Sequence, residues 1–64
     1  MDEPLYTVEE VSDRLRVHPE SVRRWLRDGR MHGFRMTRRA GWRIAESEVK
    51  RFLEEGIPEG KLAA

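Results

Sequence analysis

Charged side chains gather on one side of a short helix that the sequence predicts between Val17 and Met31. Pro19 suits the first helical position, and Gly29 suits the left-handed position that closes the last turn. At about 100° per residue, one arc holds apolar residues and the opposite arc holds charged ones, Glu20, Arg23, Arg24 and Arg27. Guanidinium groups in this pattern suit an anionic ligand such as phosphate. The alternative is a solvated face on which Glu20 pairs with Arg23 or Arg24.

The distribution of charge along the chain favours the anionic ligand. The net charge of the 64 residues is only +1, but residues 1–15 carry −4, residues 16–43 carry +7 and residues 44–64 carry −2. A basic middle between acidic flanks is expected of a domain with one anion-facing surface.

Length and composition exclude several other classes of protein. We expect one small domain over residues 1–56 and a flexible C-terminal tail over residues 57–64. The chain has no cysteine and two histidines, so no metal site and no cofactor is expected. It also has no glycine-rich phosphate loop and no nucleophile with a partnered base, so we expect no enzyme. With no long apolar run and an acidic start, the sequence predicts a cytoplasmic protein.

A first helix is predicted over residues 8–16, directly before the charged one. Thr7 and Glu10 have the spacing of a capping box, and Leu5, in preference to Tyr6, is expected to pack back on this helix. The connection over residues 16–18 is short enough only for a tight turn, with Val17 filling the angle between the helices. Two short helices joined in this way predict a helix-turn-helix.

After Gly29 the apolar period changes from 3.6 to 2, which predicts a β-hairpin. We expect Phe34, Met36, Trp42 and Ile44 on one apolar face, Arg35 and Arg43 on the outer face, and Arg38 and Arg39 at the tip. A third helix is predicted over residues 46–55 with an apolar stripe of Val49, Phe52 and Leu53, ending at Gly56. The predicted fold class is therefore mainly α with a small β-hairpin, a winged helix-turn-helix.

The sequence resembles the excisionase-type and MerR-like DNA-binding domains. The resemblance covers nearly all of residues 5–55 and rests on Leu-Tyr-Thr-Val-Glu-Glu-Val at 5–11, Val-His-Pro-Glu-Ser-Val-Arg-Arg-Trp-Leu-Arg-Asp-Gly at 17–29, Phe-Arg at 34–35, Trp-Arg-Ile at 42–44 and Glu-Ser-Glu-Val at 46–49. In that family the second helix enters the major groove, and the wing lies along the backbone or the minor groove. The resemblance implies that Arg23 clamps backbone and base edge and that Arg27 occupies a frequent contact position.

The remaining candidate contacts follow from their places in these elements. Glu20 and Ser21 begin the second helix, where they are expected to read base edges, with an acid paired to Arg24 as the alternative for Glu20. Trp25 lies at the edge of the apolar arc, where the resemblance implies a backbone contact and the alternative is a half-buried core aromatic. Trp42 is expected to support the wing. Arg38 and Arg39 suit a narrow minor groove, and Arg35 and Arg43 suit phosphates.

These features predict a protein that binds duplex DNA, as an excisionase-like recombination directionality factor or a small transcription regulator. An integrase is a possible partner for the first role. Full MerR-type regulators dimerise through a long helix after the wing, and no heptad pattern follows Gly56, so we expect a monomer whose copies line up head to tail on DNA. The alternatives are a winged-helix protein-interaction module, antitoxin-like or recruiting, and the DNA-binding head of a phage packaging subunit.

Overall fold

Three helices and a small antiparallel sheet make up the part of the chain described by the computed structural model, which comprises residues 3–35, 37, 39 and 41–57. In chain order the elements are β1 (Leu5–Tyr6), α1 (Val8–Leu15), α2 (Pro19–Asp28), β2 (Phe34–Arg35), β3 (Trp42–Ala45) and α3 (Glu46–Glu55). The strands are ordered β1-β3-β2. This architecture confirms the predicted fold class. The predictions for Met36 and Arg38 in the wing, and for the tail from Pro58 onward, lie outside the described residues.

Capping residues define the ends of the two helices of the helix-turn-helix. Thr7 Oγ1 accepts from the backbone N–H of Glu10 at 3.1 Å, and Glu10 Oε1 accepts from that of Thr7 at 2.9 Å, so the predicted capping box is confirmed. α1 ends one residue earlier than predicted because Arg16 turns to a φ of 59°. α2 has Pro19 at its first position and Gly29 at a φ of 83° just past its end, as predicted.

The core lies where the three helices meet β3. Its buried side chains come from every helix, from β3 and from the loop after α2: Val8, Val11, Leu15, Val22, Trp25, Leu26, Met31, Ile44, Val49 and Phe52. Val17 packs against this cluster from the turn, as predicted, and so does Ile57, the first residue of the predicted tail. Burial of this apolar surface is the main driving force that holds the small domain together.

Two apolar side chains lie at depths that the helical pattern did not predict. Trp25, expected at the edge of the apolar arc, is fully buried, with its ring centroid 5.5 Å from that of Phe52. Leu53, expected in the stripe of α3, is 53% exposed. The second error arises because the core touches α3 along the narrow line of Val49 and Phe52, and Leu53 lies about 100° around the helix from Phe52.

The N-terminal segment is a strand, which the sequence analysis did not predict. β1 pairs with β3 in antiparallel register, Leu5 opposite Ala45 and Tyr6 opposite Ile44. Paired residues point to the same face of a sheet, so Tyr6 lies on the same face as the buried Ile44 and packs against the core. Leu5 lies on the other face and is 44% exposed. The expected preference for Leu5 as the packing residue is therefore wrong.

The register of the hairpin also differs from the predicted one. Phe34 lies opposite Arg43, and Arg35 lies opposite Trp42. Arg35 therefore shares the inner face with Trp42, and Phe34, which is 47% exposed, shares the outer face with Arg43. The prediction of one wholly apolar face, with Arg35 outside, is wrong because the register places the two alternating patterns out of phase.

Candidate nucleic-acid interface

An open cleft of about 400 Å³ lies between the start of α1, the exposed face of α2 and the hairpin. Thr7, which caps α1, lines it together with Val8 and Glu9 of α1. Arg23 and Arg27 line it from α2, and the hairpin contributes Arg35, Gly41, Trp42 and Arg43. The structure thus brings together four arginines that the sequence assigned to two separate elements. Together with the single carboxylate of Glu9, they give the described lining a formal charge of +3.

Arg23 and Arg27 of α2 lie in a chain of ion pairs with Glu9 and Glu20. Arg23 Nη2 lies 3.1 Å from Glu9 Oε2, and Arg23 Nη1 lies 3.4 Å from Glu20 Oε1. The other oxygen of Glu20 lies 3.8 Å from Arg27 Nη2. The side chain of Arg23 is 40% exposed and that of Arg27 58%, so both remain accessible to a ligand. Pairs this exposed contribute little to stability, about 0–1 kcal/mol each.

Glu9 was absent from the predicted site. Its pairing with Arg23 spans 14 residues, from the first turn of α1 to the middle of α2. No local spacing signals such a contact, because it depends on the angle between the two helices. The alternative interpretation of Glu20 was an acid paired to Arg23 or Arg24. The structure contains the contact with Arg23, and Arg27 is a further partner.

Ser21 and Arg24 lie on α2 beside the cleft. Ser21 is half-buried in the first turn, where its backbone N–H donates to the carbonyl of His18 at 3.0 Å. Arg24 is exposed. Both side chains belong to the same outward half of α2 as Glu20 and Arg27, but the described cleft lining does not include them.

Two arginines of the hairpin, Arg35 and Arg43, contact Trp42. The guanidinium carbon of Arg35 lies 5.1 Å from the Trp42 ring centroid, a cation–π distance. Arg43 Nη1 donates to the carbonyl of Trp42 at 2.9 Å. Trp42 is half-buried and packs against the core, as expected of a residue that supports the wing. Arg39 is exposed in the turn, and Arg38 lies outside the described residues.

Trp25 has no surface to offer a ligand. Its exposure is 0%, and its indole Nε1 is buried without a hydrogen-bond partner among the described residues. The sequence offered two interpretations of Trp25. Its burial fits a core aromatic and does not fit a contact with the phosphate backbone of DNA. α2 therefore contributes polar and charged side chains to the cleft region, while Trp25 packs the opposite face of the helix against the core.

Hydrogen bonds with Glu48 and Arg51 of α3 hold the loop that joins α2 to the wing. Glu48 accepts the backbone N–H of His32 at 2.9 Å and hydrogen bonds from Arg51, which also donates to the carbonyl of Arg30 at 3.2 Å. Burial alone would raise the pKa of Glu48, but the hydrogen bonds and the positive charge of Arg51 outweigh it, and the pKa lies below its ordinary value of 4.5. The ionised carboxylate thus connects the loop after α2 to α3.

Gly33 allows the same loop to approach β3 closely. A Cβ at this position would lie 2.8 Å from Leu26 Cδ2 and 3.0 Å from the carbonyl oxygen of Arg43. A side chain there would require Leu26, or the backbone of β3 at Arg43, to shift. The close approach of this loop to β3 therefore favours glycine at position 33.

A comparison with known protein families agrees with the predicted helix-turn-helix. The model of a family described as a helix-turn-helix domain matches residues 5–56, a span that contains α1, α2, the hairpin and α3. A search of curated proteins gave no significant match. Within the described residues, no helix has the length and apolar character needed to cross a bilayer.

Proposed function

Because the chain belongs to the helix-turn-helix domain family, whose fold indicates DNA as the ligand, we propose that it binds duplex DNA in a sequence-specific manner. In this proposal α2 lies in the major groove and the wing lies on the minor groove or the adjacent backbone. The role is one of binding without catalysis.

The observation that carries the proposal is the convergence of basic side chains from two elements on one cleft. Arg23 and Arg27 approach it from α2, and Arg35 and Arg43 approach it from the hairpin. A major groove about 12 Å wide admits a helix, and the phosphates that border it attract guanidinium groups. Basic groups on both sides of a single cleft suit one strand of backbone passing between the recognition helix and the wing.

The proposal divides the candidate contacts between base edges and backbone. At the start of α2, Glu20 and Ser21 are placed to meet base edges, with Arg23, Arg24 and Arg27 at the border of bases and phosphates. The wing arginines hold the backbone and the minor groove: Arg35, Arg38, Arg39 and Arg43. Trp25 is excluded from the interface because it is buried.

The test uses a duplex of about 20 base pairs, two helical turns, selected by the wild-type protein from a randomised pool. Arg23→Ala and Arg27→Ala should each weaken binding to it by about 1–3 kcal/mol in fluorescence anisotropy, because each removes a charge-assisted contact. Lys50→Ala is the matched control, since it removes one positive charge from an exposed position on α3. Equal losses for all three variants would contradict the assignment of α2.

For the biological role we propose an excisionase-like recombination directionality factor or a small transcription regulator, acting in the cytoplasm. An excisionase-like factor would work with an integrase and bend DNA. The resemblance of the α2 and wing motifs supports this pair of roles. Reconstituted excision in the presence of the integrase encoded nearest to the gene distinguishes them, since a regulator alone should leave recombination unchanged.

Further copies of the chain are proposed as partners on DNA. α1 carries the exposed Glu9 and Glu10 in its first turn and α3 carries the half-buried Glu46, whereas Glu48 is buried and the wing is basic. The exposed members of these groups offer charge complementarity between the wing of one copy and the helices of the next. Sedimentation of complexes on one and on several direct repeats should show stepwise addition of copies. A single dimer on a palindrome would contradict this arrangement.

A further inference from the structure

Glu9 places a negative charge inside the basic cleft. It is the one carboxylate in the described lining, and its side chain is 68% exposed. Its Oε2 lies 3.1 Å from Arg23 Nη2, while Glu20 holds Nη1 of the same guanidinium at 3.4 Å. Arg23 therefore lies between two carboxylates, although it occupies the surface that the proposed function assigns to DNA.

This arrangement has opposite consequences for the two kinds of DNA contact. Binding to arbitrary sequence comes almost entirely from attraction between basic side chains and phosphates. Glu9 cancels part of the charge of Arg23 and repels an approaching phosphate, so it weakens that attraction. Base readout depends on the direction of hydrogen bonds, and a guanidinium has five N–H donors. A carboxylate that accepts a hydrogen bond from one nitrogen of the Arg23 guanidinium fixes the orientation of the remaining N–H donors.

We propose that Glu9 is a specificity-determining residue of the DNA interface: it suppresses sequence-independent contact by Arg23 and orients Arg23 toward base edges. The inference rests on the proposed function, because it assumes that the cleft binds duplex DNA. Specificity is a difference of two affinities, and an unfavourable contact with the wrong ligand raises it as effectively as a favourable contact with the right one.

The experiment compares Glu9→Gln with the wild type on two duplexes of the same length and base composition. One is the duplex selected by the wild-type protein, and the other is a scrambled version of it. Glutamine keeps the size and one oxygen acceptor but removes the charge. Glu54→Gln is the matched control, because it makes the same change of net charge at an exposed position on α3.

Glu9→Gln should tighten binding to the scrambled duplex by about three- to tenfold at low salt, as expected for the loss of one repulsive charge. Binding to the selected duplex should change by less than about twofold, so the ratio of the two dissociation constants falls. Glu54→Gln should leave that ratio unchanged. In an Arg23→Gln background, the effect of Glu9→Gln on the ratio should disappear, since it acts through Arg23.

Equal tightening on both duplexes would overturn the inference, since Glu9 would then act only as bulk charge. Weaker binding to both would also overturn it, because Glu9 would then simply support Arg23 in every complex. A ratio that still falls in the Arg23→Gln background would show that the effect does not pass through Arg23. If the wild-type protein itself failed to bind duplex DNA, the proposed function would fail first and the inference with it.

Discussion

At the scale of single residues, Glu48 makes the stability of the fold depend on pH. Its pKa is lowered in the folded protein, so the ionised form is stabilised by folding. The resulting contribution to stability is fully present above the ordinary pKa of 4.5 and is lost as the pH falls through the lower folded-state value. Protonation releases Arg51 and weakens the contact with the loop after α2.

Glu48→Gln should therefore lower the free energy of unfolding at pH 7 by about 1–2 kcal/mol, as expected when a charged hydrogen-bond acceptor loses its charge. Between neutral pH and a pH of about 3, the free energy of unfolding should fall less in the variant than in the wild type. Urea unfolding at both pH values measures this, with Glu54→Gln as the control. If the two variants showed the same acid sensitivity, Glu48 would not be the titrating group.

Residue-scale predictions from the sequence succeeded where the contact is local. Thr7 and Glu10 are three residues apart, and their capping box forms as predicted. Glu48 meets the backbone N–H of His32, 16 residues away, and no spacing rule reports such a contact. Met31, buried at 1% exposure, was also missed, because it follows the end of a helix and belongs to no periodic stripe.

At the scale of elements, α2 is the best determined from the sequence, because Pro19 and Gly29 mark both of its ends. Its buried face carries Val22, Trp25 and Leu26, which form the apolar arc of the wheel, although Trp25 is buried more deeply than its place at the edge of that arc predicts. The hairpin is the least determined. Its register depends on the conformation of the connection between Arg35 and Trp42, which alternation of apolar residues does not specify.

A pair of leucine variants tests which helix faces form the core. Leu26→Ala should lower the free energy of unfolding by about 2–5 kcal/mol, because it removes a side chain that is 6% exposed. In a domain this small, that loss is a large fraction of the total stability, and unfolding at room temperature is expected. Leu53→Ala, the same change at 53% exposure, should lower it by less than about 0.5 kcal/mol. Thermal unfolding followed by circular dichroism measures both, and equal losses would contradict the described core.

The wing, as an element, is proposed to hold the backbone and the minor groove. Joint replacement of Arg38 and Arg39 by alanine should weaken binding to the selected and the scrambled duplex by similar factors, because phosphate and groove-potential contacts carry little base information. Anisotropy titrations on both duplexes test this. Binding equal to that of the wild type would remove the wing tip from the mechanism.

At the scale of the whole molecule, the charge pattern and the fold agree. The sequence divides into an acidic start, a basic middle and an acidic end, and the fold gathers four arginines of the middle part around the cleft. The sequence predicted which elements carry these arginines. It did not predict that Glu9 enters the same cleft or that Arg35 faces Trp42, because both depend on how the elements pack together.

The most direct test of the central claim is the salt dependence of duplex DNA binding by the wild-type protein. In the proposed function about six arginines contact phosphates, namely Arg24, Arg27, Arg35 and Arg43 with the wing-tip pair Arg38 and Arg39, and each such contact should contribute about −0.9 to the slope of log affinity against log salt. Anisotropy titrations at a series of salt concentrations should therefore give a slope of about −5. A flat response, or no binding to the duplex at any salt concentration, would contradict DNA binding by this cleft.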